Sequence, residues 1–301
     1  MIKPSPFNLL CAVICLLASL FHAGLASSRA EADATALPVP AMDGVTWLAG
    51  QAIEGGVLVG RLAPGLELTL ADVAVPVGAD GHFIIGFHRD SDTPQQLVVS
   101  GTDGTRRQIT LTAAQRSYNL QRIDGLKRDH VTPPQDVLDR IANDSAAVRA
   151  ARGRHDAGGG GGDFLGGFDM PVSGGITGIY GSQRILNGEP RQPHYGIDIA
   201  APRGTPVTAP AAGRVTLVRD LYFSGWTLVI THGMGLNAAF LHLDNVAVEE
   251  GEEVARGQVI GTVGSTGRST GPHLDWRLDW QGRRLDAALV RDQLASLASD
   301  S

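Results

Sequence analysis

From Phe168 to about Val290 glycine or proline interrupts the chain every several residues, and no convincing helical period appears until the last dozen residues. Between the interruptions lie short apolar runs: "GITGIYG", "YGIDIAAP", "TPVTAPAAGRVTLVRD", "WTLVITHG", "NAAFLHL", "QVIGTVGS" and "HLDWRLDW". Runs of that length suit strands, and the breakers between them suit tight turns. The pattern predicts a mostly antiparallel β-domain over 164–290. A smaller copy of the same texture fills 45–122, where "GGVLVGRL", "LELTLADVAVPV", "HFIIGF", "QQLVVS" and "RRQITLT" alternate with Pro64-Gly65, Asp80-Gly81 and Asp103-Gly104. Short, evenly spaced strands of this kind predict a small β-sandwich-like module. The fold class is therefore mainly β.

Between the two β regions, 130–163 changes character. "HVTPPQDVLDRIANDSAAVRAAR" predicts a helix starting at Thr132 or Asp136, with Val137, Ile141 and Val148 as its apolar stripe. "GRHDAGGGGGDFLGG" then reads as a low-complexity tether, which makes a fixed ligand role for His155 or Asp156 improbable. A domain boundary near residue 160 follows.

The N-terminus, "MIKPSPFNLLCAVICLLASLFHAGLASS", has a positive charge, an apolar run from Phe7 to Phe21 and small residues around Ala26. It reads as an export signal over 1–26, and its run is short for a membrane span, so no stable span is expected after cleavage. Both cysteines, Cys11 and Cys15, lie inside it, behind residues too bulky for a lipoprotein cleavage site. The mature chain then has neither disulfide nor thiolate metal site. A formal charge of −6 argues against a nucleic-acid partner. The expected location is the periplasm or cell envelope.

The groups able to do chemistry sit close together in three segments. "PHYGIDIA" holds His194 and Asp198, "AFLHLDN" holds His242 and Asp244, and "PHLDW" holds His273 and Asp275. Four residues of extended strand separate His194 from Asp198 by roughly 13 Å; Gly196 between them is positioned to supply a bend. His273 and Asp275, two apart on a strand, share a face. A catalytic zinc site needs three protein ligands, an open position and basic groups nearby. Without cysteine, imidazole and carboxylate are the available ligands, and His194, Asp198, His242, His273 and Asp275 supply three ligands and two spare imidazoles. Spacing does not say which residue does which job. His82 and His88 read as surface strand residues, and His232 beside its glycine turn reads as a turn residue. Asp244, Arg214 and Tyr195 are candidates for outer positions around the site, with turn or surface roles the simpler reading.

"HYGIDIAAPRGTPVTAPAAGRV", "FLHL" and "GQVIGTVGSTGRSTGPHLDW" resemble the LytM/lysostaphin-type zinc metallopeptidases of the M23 class, which cut peptide cross-links in bacterial peptidoglycan. The resemblance runs from about Gly175 to Leu285 and is carried by an H-x-x-x-D motif, a later single His and a final H-x-H region in that order. "YGSQRILNGEPRQPHYG" also resembles an exported branch of that family with a small β-domain in front. The resemblance implies that His194 and Asp198 are metal ligands, that His242 and His273 are catalytic, and that Asp275 stands where the family's third ligand is a histidine. Asp ligates zinc at a similar distance. Its negative charge makes the site less positive and brings harder ions such as Mn²⁺ into competition. The implied cofactor is Zn²⁺ or another divalent ion, and the implied partner is the peptide stem of peptidoglycan.

Two other readings compete. Degenerate members of the same family bind and activate other cell-wall hydrolases without cutting anything themselves. "APAAGRV" with "VEEGEEVARGQVIGTVGSTG" also resembles a biotinyl or lipoyl carrier half-motif, but such carriers need a lysine. The only lysines are Lys3 and Lys127, so the C-terminal region has none.

Overall fold

Alternation in "HLDWRLDW" explains most of the architecture. Leu274, Trp276, Leu278 and Trp280 point inward and are buried, while His273, Asp275, Arg277 and Asp279 line the opposite face. The computed structural model describes residues 38–123, 137–154, 163–186 and 188–298. The expected export signal, the expected helix starts at Thr132 and Asp136, and most of the glycine tether with His155 and Asp156 lie outside the described residues.

The first region carries β1 (Val45–Gly50), β2 (Val57–Leu62), β3 (Leu66–Leu70), β4 (Val73–Ala74), β5 (His82–Gly86), β6 (Gln95–Gly101), β7 (Arg106–Leu111) and β8 (Leu120–Ile123). These form a three-stranded sheet, β1-β2-β5, and a four-stranded sheet, β4-β3-β6-β7, both antiparallel. Val57, Val59, Ile85, Leu97 and Val99 from the two sheets share one apolar core, and the alternate residues Leu58 and Ile84 are buried in it as well, so these strands are covered on both faces.

The second region carries β9 (Gly175–Gly178), β10 (Gln183–Leu186), β11 (Glu189–Pro190), β12 (Ile197–Ala200), β13 (Pro206–Thr208), β14 (Gly213–Leu221) and β15 (Gly225–Thr231). It continues through β16 (Leu236–Val246), β17 (Glu253–Val254), β18 (Val259–Val263), β19 (His273–Trp280) and β20 (Arg283–Leu285). Most of these join a ten-stranded antiparallel sheet whose main path is β17-β14-β15-β16-β19-β12-β9. The parallel pair β8-β10 ties the end of the first region to the segment just before His194.

Helix α1 (Leu138–Arg152) covers the polar-edged face of this sheet. Ala147, Val148 and Ala151 pack on Leu217, Leu221, Val229, Ala239 and Leu241, so the buried stripe continues the 3–4 spacing that starts at Ile141. Helix α2 (Ala287–Ala298) is capped by Asp286, whose Oδ1 accepts from the Ala288 and Leu289 amides. Its Ala287, Val290 and Leu294 face the core. Among the described residues no helix is long and apolar enough to cross a membrane.

The two β regions share apolar and polar contacts. Gly86 lies so close to Trp280 and Leu285 that a Cβ there would meet the latter's Cδ2 at 2.9 Å. Arg283 donates to the Gly86 carbonyl at 3.1 Å, Arg116 pairs with Asp286 at 2.9 Å, and Gln293 accepts from the Val57 amide at 2.8 Å.

Candidate metal centre

Strands β12 and β19 run antiparallel with Asp198 directly opposite Asp275 and Ala200 opposite His273. That register places both carboxylates on one face, next to each other, at one end of the large sheet. His194 precedes β12 and is held by its backbone: its amide donates to the Ser182 carbonyl and its carbonyl accepts from the Gly181 amide, both at 2.8 Å. His194 Nε2 then stands 3.2 Å from Asp198 Oδ1. Donor atoms of His194, Asp198 and Asp275 all lie within 4.8 Å of one another.

Glycine makes room for this cluster at two places. A Cβ on Gly178 of β9 would overlap the Asp198 carboxylate, and one on Gly196 would overlap Asp275 Oδ1. Gly196 marks a bend in the chain just before β12, as expected, with φ outside the left-handed region, and it also supplies space for Asp275 and Arg277.

The donor set fits a divalent ion. His194 Nε2 and Asp198 Oδ1 are shielded from solvent and make no hydrogen bond, although buried polar atoms are nearly always satisfied. An ion ligated at about 2.1 Å would satisfy both, and a tetrahedral arrangement needs donors about 3.4 Å apart, within side-chain adjustment of the observed cluster. Asp275 is only 2 % exposed. Burial pushes its pKa up, but the Arg277 guanidinium, helped by His194 and His242, outweighs this and holds the carboxyl below its usual range. Burial pulls Arg277 down in turn, and Asp275 and Asp198 more than compensate.

His242 reaches the same place by a local break in the strand. Along β16, Ala239 and Leu241 face the side of Arg277 and Asp275, while Phe240 faces the core with Trp276. Regular alternation would send His242 into the core as well. Instead its φ is +62°, the register of β16 against β18 shifts just beyond it, and its amide bonds the Ser224 carbonyl. This backbone break turns the ring onto His273, with ring centroids 4.9 Å apart.

The two rings have the same tautomer. His242 Nδ1 lies 2.8 Å from the Thr266 carbonyl, and His273 Nδ1 lies 2.8 Å from the Gly271 carbonyl. A carbonyl only accepts, so each Nδ1 carries the hydrogen and each neutral ring keeps its lone pair on Nε2. His273 Nε2 stands 3.8 Å from Asp198 Oδ1. Burial lowers the pKa of His242 more than its bond to Thr266 and the nearby Asp275 raise it.

Other residues fall elsewhere. Asp244 pairs with Arg203, and Arg214 with Glu253 at 2.6 Å, as surface ion pairs. Tyr195 packs at a tilt between His88 and Tyr180, so His88 is not a free surface residue: it lies past β5 and packs beside the segment carrying His194. His82 pairs with Asp80 on its strand. His232 stands in the turn between β15 and β16, as read, but is completely buried there, with its ring edge-on to Phe168 at 5.0 Å and its Nδ1 donating to the Ala212 carbonyl. Arg277 was overlooked, although its place two residues beyond Asp275 on the same strand face was readable from alternation.

The sequence model of peptidase family M23 matches residues 192–287. Peptidoglycan DD-endopeptidase ShyA of Vibrio cholerae is 42% identical over 104 residues, covering 35% of this chain and 24% of that protein. DD-carboxypeptidase/endopeptidase Mpg of Neisseria meningitidis is 43% identical over 97 residues, covering 32% of this chain and 22% of its own length. The chain thus spans about a quarter of the length of these curated relatives. A solved structure from Pseudomonas aeruginosa, assigned to peptidase M23, is similar with a TM-score of 0.61 and 29% identity, covering 82% of this chain and 96% of that one. The similarity of fold therefore extends well beyond the matched segment. A family M23 peptidase domain occupies residues 192–287 of this chain, and all the clustered histidines and aspartates fall within it.

Proposed function

We propose that this chain is an exported, metal-dependent endopeptidase that cleaves peptide cross-links of bacterial peptidoglycan. The observation that carries the reading is the joint placement of His194, Asp198 and Asp275 within 4.8 Å, beside the paired rings of His242 and His273. The names of the relatives supply the substrate class, and the N-terminal apolar run supports export.

In this reading His194, Asp198 and Asp275 hold a zinc ion. Zinc there supplies Lewis-acid activation of the scissile carbonyl and of water. The chain's own residues do the rest. His242, buried and with its Nε2 lone pair free, accepts the proton of the attacking water, and its Nδ1–H bond to Thr266 keeps that tautomer throughout. Once protonated, Nε2 becomes a donor and returns the proton to the leaving amine. His273, fixed by Gly271 and facing Asp198, is the second imidazole; in its protonated form it donates from Nε2 to the oxyanion of the tetrahedral intermediate.

Purified peptidoglycan sacculi incubated with the zinc-loaded chain should lose cross-linked muropeptides and gain uncross-linked ones. A chelator and His242→Ala should each abolish the change. Cross-linked species left intact by a chain shown to carry one equivalent of metal would overturn the peptidase assignment and leave a binding role.

A further inference from the structure

Two residues along the same face of β19 from Asp275 stands Arg277. Its Nε donates to Asp275 Oδ1 at 3.0 Å and to Oδ2 at 3.1 Å, and Nη2 donates to Oδ2 at 2.5 Å. A carboxylate offers about four lone-pair positions. The guanidinium takes both on Oδ2 and one on Oδ1, so one position remains, on Oδ1.

The next acid on that face has partners of its own. Asp279 is engaged by Arg152 from α1 at 3.6 Å and by Asn237 at 3.2 Å. Gly196 leaves space for Arg277 Cγ and Asp275 Oδ1 together. Arg277 is thus seated by packing on one side and by its carboxylate partner on the other.

We infer that Asp275 and Arg277 act together as one neutral, single-oxygen metal ligand, which tunes the site for zinc over harder divalent ions. The inference rests on the metal-site reading above. One imidazole and two carboxylates around a divalent cation sum to zero charge, and Arg277 restores the single positive charge of a site with two imidazoles and one carboxylate. By filling Oδ2 it also denies the ion a second oxygen. Zinc is content with few ligands in a tetrahedral site, whereas Mn²⁺ suits oxygen-rich octahedral ones. Arginine suits the task because it stays charged and its fork matches a carboxylate.

The test measures Zn²⁺ and Mn²⁺ dissociation constants of the full chain by competition with a chromophoric chelator. Wild type is compared with Arg277→Gln and Arg277→Lys, with folding checked by circular dichroism. Arg277→Gln should lower the zinc-over-manganese affinity ratio at least tenfold. Arg277→Lys, which keeps charge without the fork, should fall between the two and serves alone if the Gln variant does not fold. A ratio unchanged in both variants, including an equal loss of both affinities, would overturn the inference and mark Arg277 as structural only. A wild-type chain that binds neither ion would defeat the underlying metal-site reading, and this inference with it.

Discussion

Asp198 and Asp275 are cross-strand partners on neighbouring antiparallel strands, so two carboxylates face the same side of the sheet in direct register. Like charges placed so are unfavourable unless cations intervene. Arg277 binds Asp275 directly and reaches Asp198 only through space, whereas the shielded Oδ1 of Asp198 makes no hydrogen bond and lies 3.2 Å from His194 Nε2 and 3.8 Å from His273 Nε2. The pairing makes Asp198 the group that most needs an ion, and its position depends on a neighbour that contributes no side chain.

That neighbour is Gly178. A methyl group there would overlap the Asp198 carboxylate, forcing the side chain to swing away while every ligand remains present. Gly178→Ala is expected to weaken zinc binding at least tenfold, about 1.4 kcal/mol. The metal-free chain should change by no more than about 1 kcal/mol, because β9 is an exposed edge strand. Ile176→Ala on the same strand should leave zinc binding unaltered. Chelator competition and urea unfolding of the variants check both halves; full zinc affinity in Gly178→Ala would count against Asp198 as a ligand.

His242 sits at φ +62°, where a non-glycine residue costs about 1–2 kcal/mol. Asparagine and glycine tolerate that region and β-branched residues do not. Each substitution should abolish catalysis by removing the imidazole, but the stabilities should differ. His242→Asn and His242→Gly are expected to lie above His242→Val by about 2 kcal/mol in urea unfolding. Equal stabilities would show that the kink carries no strain.

These positions show what could be read from sequence. The face of β19 was legible because alternation is a local rule: "HLDWRLDW" separates core from site without knowledge of the rest of the chain. His242 was legible as a candidate but not as a geometry, because alternation sends it into the core beside Phe240. Its bond to Ser224, across a hairpin, goes with the re-aimed backbone. Arg277 obeys the same period as Asp275 and was passed over because no motif includes it. His232 was legible as a turn residue but not as a buried one, because a turn is local and Phe168, which covers the ring, is distant in sequence.

The contacts between the two β regions predict the outcome of cutting them apart. A chain starting at Asp163 loses the cover over Trp280 and Leu285, the Arg116–Asp286 pair at 2.9 Å, and the α1 residues packed on Leu217, Val229 and Leu241. Each large apolar side chain returned to water costs about 1.5–3 kcal/mol. The fragment is expected to melt at least about 10 °C below the full chain in the metal-free state. A fragment as stable as the full chain would instead favour a loosely attached front module.

Stability should also fall in mild acid for a reason outside the metal centre. Desolvation lowers the pKa of His232 from 6.5 to about 4, against a smaller upward pull from its bond to the Ala212 carbonyl. The unfolded chain therefore binds a proton at this residue that the folded chain refuses. Above pH about 6.5 neither state is protonated and there is no effect. Between about 6.5 and about 4 the residue makes folding less favourable as pH falls, by up to about 1.4 kcal/mol per pH unit. Below about 4 both states carry the proton and the slope ends. His232→Gln keeps a donor for Ala212 without a titrating ring. Its unfolding free energy, measured in denaturant from pH 4.5 to 7.5 on chelator-treated protein, should vary less with pH than that of the wild type. The difference between the two curves should be confined to pH below about 6.5, and parallel curves would show that the buried ring does not titrate as its surroundings demand.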